Sequence, residues 1–207
     1  MSVISSNISR GDTLIEVLFA ISVFSLVVVG GLSIMNQGTA AAQRALEITL
    51  VRNEIDAQAE ALRFMNASYI AAYNPKYPEV LLTEGTPARE WQDMVDTIGT
   101  ALPAPWNSIT CTSPSGSFVI DTKNVKFRPS TSDLLVKAVT FAQLRYEDLE
   151  LKKAEGIWIE AYRPVPPTPG PQSKVGYVDF TIRACWDSIG QSVPSNVSTL
   201  VRLYEPR

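Results

Sequence analysis

The residue whose position most needs a chemical explanation is Glu16. It lies near the start of the stretch from Leu14 to Met35, which is 22 residues long and contains no other charged side chain. A charge at the centre of a membrane-spanning helix costs about 3 kcal/mol on insertion scales. Something must therefore offset this cost or use the charge. Because Glu16 lies close to the end of the run, its side chain could snorkel to the membrane surface.

Residues that commonly carry enzyme chemistry are scarce elsewhere in the chain. There is no histidine, so the commonest general base and the commonest metal ligand are missing. Gly-rich phosphate loops, Gly-x-Ser-x-Gly and Cys-x-x-Cys patterns are also absent. We therefore expect that the protein is not an enzyme and that it has no catalytic residue, no metal and no cofactor. The acidic cluster of Glu147, Asp148 and Glu150 predicts a solvated turn, because a Ca²⁺ loop requires glycine and alternating ligands.

Two cysteines, Cys111 and Cys185, lie far beyond the apolar stretch. An even pair in an exported domain indicates a disulfide, whereas two buried free thiols are the alternative for a cytosolic domain. A bond that closes so long a loop would contribute about 4–5 kcal/mol in the chain-entropy model.

The apolar stretch has the length of a membrane span. At about 1.5 Å per residue, it covers roughly 33 Å. Arg10 precedes it and the next basic residue is Arg44, which favours a cytoplasmic N-terminus and an exported C-terminal part. The rival interpretation is a secretory signal cleaved near Gly38–Ala42. Such signals have a shorter apolar core of about 7–15 residues.

The helix is expected to continue beyond the membrane. No proline or glycine occurs between Ala40 and Tyr73. One apolar face with helical spacing is formed by Ile48, Val51, Ile55, Leu62, Met65 and Tyr69. The other sides of the helix are predicted to carry the charged residues Arg44, Glu47, Arg52, Glu54, Asp56, Glu60 and Arg63. We predict one helix from about Thr13 to Tyr73 that ends at Asn74-Pro75.

The order of these features carries a family resemblance. Residues Gly11 to Leu18 read GDTLIEVL, and an unbroken apolar helix and its amphipathic continuation follow. This arrangement resembles the class III signal of type IV pilins and type II secretion pseudopilins. It implies that prepilin peptidase cuts between Gly11 and Asp12 and that the new amine of Asp12 is methylated. It also implies that Glu16, fifth in the mature chain, pairs with the terminal amine of a neighbouring subunit.

The resemblance also implies a division of the chain. Residues 1–11 form a cleaved cytoplasmic leader, 12–36 a transmembrane and assembly helix, 37–74 its amphipathic continuation, and 75–207 an extracytoplasmic domain. The implied partners are other pilin subunits, prepilin peptidase, the pilus assembly platform and the cytoplasmic membrane. Before assembly the protein would cross that membrane once. After assembly it would lie in an extracellular pilus or a periplasmic pseudopilus.

The C-terminal part has the pattern of a small antiparallel sheet. The predicted elements are a short helix at Pro87–Ile98 and strands at Ser117–Asp121, Asn124–Arg128, Gly156–Arg163, Val175–Trp186 and Thr199–Tyr204. Loops are predicted at Pro164–Pro171 and Asp187–Val197. A long helix with an apolar stripe needs a sheet to cover that stripe. The fold class is therefore α+β, with the long N-terminal helix packed on the sheet.

These features favour a filament subunit over other classes. Asp12, where the family usually has phenylalanine, and the size of the exported domain favour a minor pilin. A type II secretion pseudopilin and a non-polymerising, membrane-anchored binding domain are the alternatives. The net charge of −3 gives no strong nucleic-acid signal. Adhesion, motility and DNA uptake all remain open as roles of the filament.

Overall fold

A computed structural model of the protein describes residues 12–73, 76, 83–99, 106, 109–131, 133–164 and 176–205. Its first element is helix α1, Asp12–Ala72, and helix α2 covers Pro87–Thr97. The α+β class and the long N-terminal helix are confirmed. The chain divides into two compact units, one ending at Arg44 and one beginning at Ala45. The predicted stop at Asn74-Pro75 lies outside the described residues, as do residues 165–171 of the predicted loop.

The larger sheet has five antiparallel strands in the order β2-β1-β6-β7-β8. Its strands are β1 (Phe118–Asp121), β2 (Lys126–Pro129), β6 (Ile157–Tyr162), β7 (Tyr177–Trp186) and β8 (Ser195–Tyr204). The predicted C-terminal meander is confirmed by β6, β7 and β8. The prediction of a loop as far as Val197 was wrong, because β8 begins at Ser195 and pairs there with Trp186.

A second, three-stranded sheet was not predicted. It consists of β3 (Leu135–Val136), β4 (Gln143–Glu147) and β5 (Glu150–Glu155), in the order β3-β5-β4. β4 and β5 are antiparallel, while β3 and β5 are parallel. Asp148 and Leu149 form the turn between β4 and β5, so the acidic cluster lies at a hairpin turn as expected.

The predicted apolar stripe of α1 faces the core. Val51, Ile55, Leu62 and Met65 are buried, and Ile48 and Tyr69 are partly buried beside them. Across from them, alternate residues of β7 from Val178 to Ala184 are buried, as the sequence alternation predicted. Helix α2 adds Trp91 and Met94 to the same cluster. Burial of these side chains at about 25 cal/mol per Å² holds the helices to the sheet.

Gly156 joins the two sheets. It is the single residue between β5 and β6, and its φ of +64° lies in the left-handed region that glycine adopts readily. A Cβ at this position would lie 2.3 Å from the carbonyl oxygen of Cys185. The Gly156 N–H donates to Val136 O of β3, and Gly156 O accepts from the Cys185 N–H of β7, each at 2.8 Å. One glycine is thus bonded to both sheets.

The two cysteines form a disulfide. Cys111 and Cys185 are bonded, with Cα atoms 5.3 Å apart and a sequence separation of 74. Both residues are buried and pack against Trp158. The bond ties the segment before β1 to the end of β7, which agrees with the disulfide expectation and excludes the free-thiol alternative.

Candidate assembly helix

The first part of α1 has no partner within the part of the chain that the structure describes. Every described side chain from Leu14 to Thr39 is exposed, including Phe19, Phe24 and Leu26. This segment is long and apolar enough to cross a membrane by length and composition. Water is an unfavourable surrounding for so many exposed apolar side chains. Lipid or other apolar helices are the surroundings that suit them.

Glycine does not interrupt this part of the helix. α1 continues through Gly30 and Gly31, where the sequence left open either a weak point or a close helix contact. Apart from the adjoining residues and the nearby backbone of the helix itself, no atom of the described residues lies within 4 Å of the place where a Cβ would stand at either glycine. The small surface at the pair is therefore open in a single chain.

Glu16 differs from the other polar residues around it. The Ser22 hydroxyl donates to Leu18 O and the Ser25 hydroxyl to Ile21 O, each at 2.8 Å. These serines satisfy their hydrogen-bonding groups within their own helix, which suits an apolar environment. Glu16 is exposed and has no hydrogen-bond or ion-pair partner among the described residues. Its carboxylate is thus available to a cation from outside the chain.

The proposed processing site lies at the start of the helix. Asp12 is the first residue of α1, and Glu16 follows four residues later, about one helical turn along. Gly11, on the other side of the predicted cut, lies outside the described residues. Cleavage at Gly11-Asp12 and methylation of Asp12 stay predictions.

The second part of α1 is tied to the large sheet by three polar side chains. Glu47 accepts from Trp186 Nε1 at 2.9 Å and from the Ser188 hydroxyl at 2.7 Å. Asn66 Nδ2 donates to Tyr204 O at 3.0 Å. The third is Gln58. Because these contacts lie at different points along the helix, they fix its position along the sheet as well as its rotation.

Gln58 replaces a missing strand contact. Among the described residues, β1 pairs with β6 only at Phe118–Ile159, so the backbone of Ile120 has no strand partner there on that side. Gln58 Nε2 donates to Ile120 O at 2.7 Å, and the Ile120 N–H donates to Gln58 Oε1 at 2.9 Å. Gln58 is fully buried. Its side-chain amide thus satisfies a buried donor and a buried acceptor that would otherwise be unpaired.

A carboxylate of the same helix has an altered titration. Burial raises the pKa of Glu54 above its usual value of 4.5, while a hydrogen bond with the backbone of Leu144 partly opposes this shift. Partial burial therefore disfavours the ionised form of Glu54.

Sequence reasoning missed these connecting residues. Glu47 was wrongly assigned to the sides away from the core, although it binds the end of β7. Gln58 did carry a signal, since it interrupts the apolar stripe between Ile55 and Leu62 at helical spacing. Asn66 carried none, because its partner is 138 residues away in sequence.

The domain also contains a groove of about 510 Å³. Residues from the end of α2 and from β1, β2 and β6 line it, including Phe127 and Glu160. Glu160 Oε1 accepts from Trp158 Nε1 and from Arg183 Nε, each at 2.9 Å. Its charge is thus compensated by Arg183. Among the described residues, no group of three or more His, Cys, Asp or Glu side chains is arranged to hold a metal ion.

Comparison of the chain with family models, with curated proteins and with solved structures found no match. Its class is therefore defined by its own architecture, a long N-terminal apolar helix packed on an antiparallel sheet. This arrangement is compatible with a pilin-like fold.

Proposed function

We propose that this protein is a structural subunit of a type IV pilus-like filament, and specifically a minor pilin. The observation that supports the proposal most directly is Glu16, an exposed acid near the start of an exposed apolar helix, with no partner among the described residues. The Gly11–Leu18 resemblance gives that acid a role. After cleavage at Gly11-Asp12, it pairs with the terminal amine of a neighbouring subunit.

The pairing provides a way to select the position of each incoming subunit. An unpaired carboxylate is costly among packed apolar helices, and one paired with an ammonium group is much less so. Only one axial offset between neighbouring helices brings acid and amine together. The charge therefore favours that offset, while the apolar side chains stabilise the contact without specifying it.

The proposal is tested by Glu16→Ala in the native host. We expect the variant to reach the membrane and to be processed normally, but to be lost from sheared surface fibres. Glu60→Ala is the matched control, because it removes an exposed acid from the packed part of the same helix. It should enter fibres at the normal level.

Mass spectrometry of the native protein supplies a second test. A mature N-terminus at Asp12 is expected. An intact Met1, together with normal incorporation of Glu16→Ala, would refute the proposal and leave a membrane-anchored binding domain. A processed subunit found only in a periplasmic secretion filament would identify a pseudopilin.

A further inference from the structure

The two edges of the large sheet are protected very differently. At one edge, β2 is four residues long, contains Pro129, and its Phe127 N–H donates to the Glu90 carboxylate of α2 at 3.0 Å. At the other edge, β8 is ten residues long and contains neither proline nor lysine. Natural sheets usually block exposed edges with such features, because a free edge can pair with another strand.

The register of β7 and β8 identifies the free backbone groups. The Glu205 N–H donates to Gly176 O, so the hydrogen-bonded pairs with β7 involve every second residue from Glu205 back to Ser195. The N–H and C=O groups of the alternate residues point away from β7. The bond from Asn66 Nδ2 to Tyr204 O confirms this direction and occupies the last of them.

Four residues of this edge remain open, namely Asn196, Ser198, Leu200 and Arg202. Their outward backbone groups have no partner among the described residues. The one charged side chain, Arg202, is bound to Asp179 of the same sheet at 2.7 and 2.8 Å. Leu200 is 62% exposed. The open edge is therefore electrically neutral and presents an apolar side chain at its centre.

We propose that this edge pairs with the same edge of a second copy of the protein. The four open residues are symmetric about Thr199, so an antiparallel pair centred there uses all of them. Asn196 then lies opposite Arg202 of the other copy, and Ser198 opposite its Leu200. Each such pair exchanges two backbone hydrogen bonds, and the two Arg202 side chains do not face each other.

The symmetry fixes the relative direction of the two copies. α1 contacts the Trp186 end of β7 through Glu47 and the Tyr204 end of β8 through Asn66, so it runs in the direction of β8. Antiparallel β8 strands therefore carry oppositely directed helices. The contact joins copies that point in opposite directions, and it depends neither on Glu16 nor on filament assembly.

A cysteine at the symmetry centre tests the register. Residues 199 of the two copies would form a non-hydrogen-bonded pair with Cα atoms about 4.5 Å apart, which a disulfide can bridge. We expect the full-length Thr199→Cys chain, oxidised mildly in detergent with the native disulfide intact, to form a covalent dimer. Ser198→Cys is the matched control. It is more exposed, but its two copies would be diagonal and too far apart to bridge.

Adding Ser198→Pro to the Thr199→Cys chain tests whether the disulfide forms through paired β8 edges or through random collisions of exposed cysteines. It removes an outward N–H that β7 does not use, so the fold should persist, as verified by denaturation. Dimer yield should fall about tenfold. Sedimentation equilibrium of wild-type and Ser198→Pro chains provides a readout without cysteine, with dimer expected only for wild type. Equal cross-linking at 198 and 199, or monomer throughout, would overturn the proposal.

Discussion

The two halves of α1 have the same secondary structure and opposite surroundings. From Leu14 to Thr39 every described side chain is exposed, whereas from Val51 to Met65 one face is buried against the sheet. The polar residues differ in the same way. Ser22 and Ser25 bond to their own helix, while Glu47, Gln58 and Asn66 bond to strands and a loop far away in sequence.

This difference separates two tasks within one helix. The second half stabilises the domain, because its apolar stripe and polar contacts find their partners in the same chain. The first half presents an apolar surface and one acid, which have no partner among the residues that the structure describes. Substitutions in the two halves should therefore affect different measurements.

The largest effect on domain stability is expected for Leu62→Ala. Leu62 is fully buried, so truncation should lower the free energy of unfolding by about 2–5 kcal/mol. Leu26→Ala makes the same chemical change where the side chain is 75% exposed, and it should alter the value by less than about 0.5 kcal/mol. Urea denaturation of the full-length chains in detergent measures both. Similar decreases in the free energy of unfolding for Leu62→Ala and Leu26→Ala would show that the two halves of α1 contribute equally to domain stability, contrary to this comparison.

A smaller but still substantial loss is expected for Gln58→Met. The substitution keeps the side-chain length but leaves the N–H and C=O of Ile120 without their partner, which should cost about 2–4 kcal/mol. Ser22→Ala is the control in the first half, because the Ser22 hydroxyl donates to Leu18 O of its own helix and to no other described residue. It should leave domain stability unchanged. The role given to Gln58 would be wrong if Gln58→Met unfolded at the same urea concentration as wild type.

The smallest effect is a pH-dependent gain from Glu54→Gln. Burial raises the pKa of Glu54 in the folded state, so its ionisation opposes folding fully above that pKa and not at all well below 4.5, where both states are protonated. Glu54→Gln should therefore melt slightly higher than wild type at pH 7, and the gain should shrink as the pH falls and disappear below 4.5. Exposed Glu60→Gln serves as the control. A gain that persisted at pH 4 would rule out this cause.

The sequence allowed correct prediction of the elements with strong periodicity. The stripe from Val51 to Met65 and the alternation along β7 were both predicted, because burial on one face leaves a regular pattern. β5 was missed because its residues, ELKKAE, include charged side chains and favour helix formation. Pairing with β3 and β4 overrides that local preference.

Glu16 and the polar residues that tie α1 to the sheet also differed in how well the sequence predicted them. Glu16 could be singled out from neighbouring residues alone, because a single acid interrupts an apolar run. The positions of Glu47 and Asn66 depend on partners 139 and 138 residues away, and no local pattern specifies such pairs. The start of β8 was missed because Asn196 and Ser198 lie on an exposed edge, where polar residues are tolerated.

The junction at Gly156 has a consequence for how the domain can be divided. Because Gly156 is hydrogen-bonded to Val136 of the smaller sheet and to Cys185 of the larger one, we expect that the smaller sheet cannot be exchanged or deleted independently. A protease that cut between β5 and β6 would destroy the shared junction instead of releasing two folded fragments. We therefore expect strands β1 to β8 of the described part of the chain to unfold together.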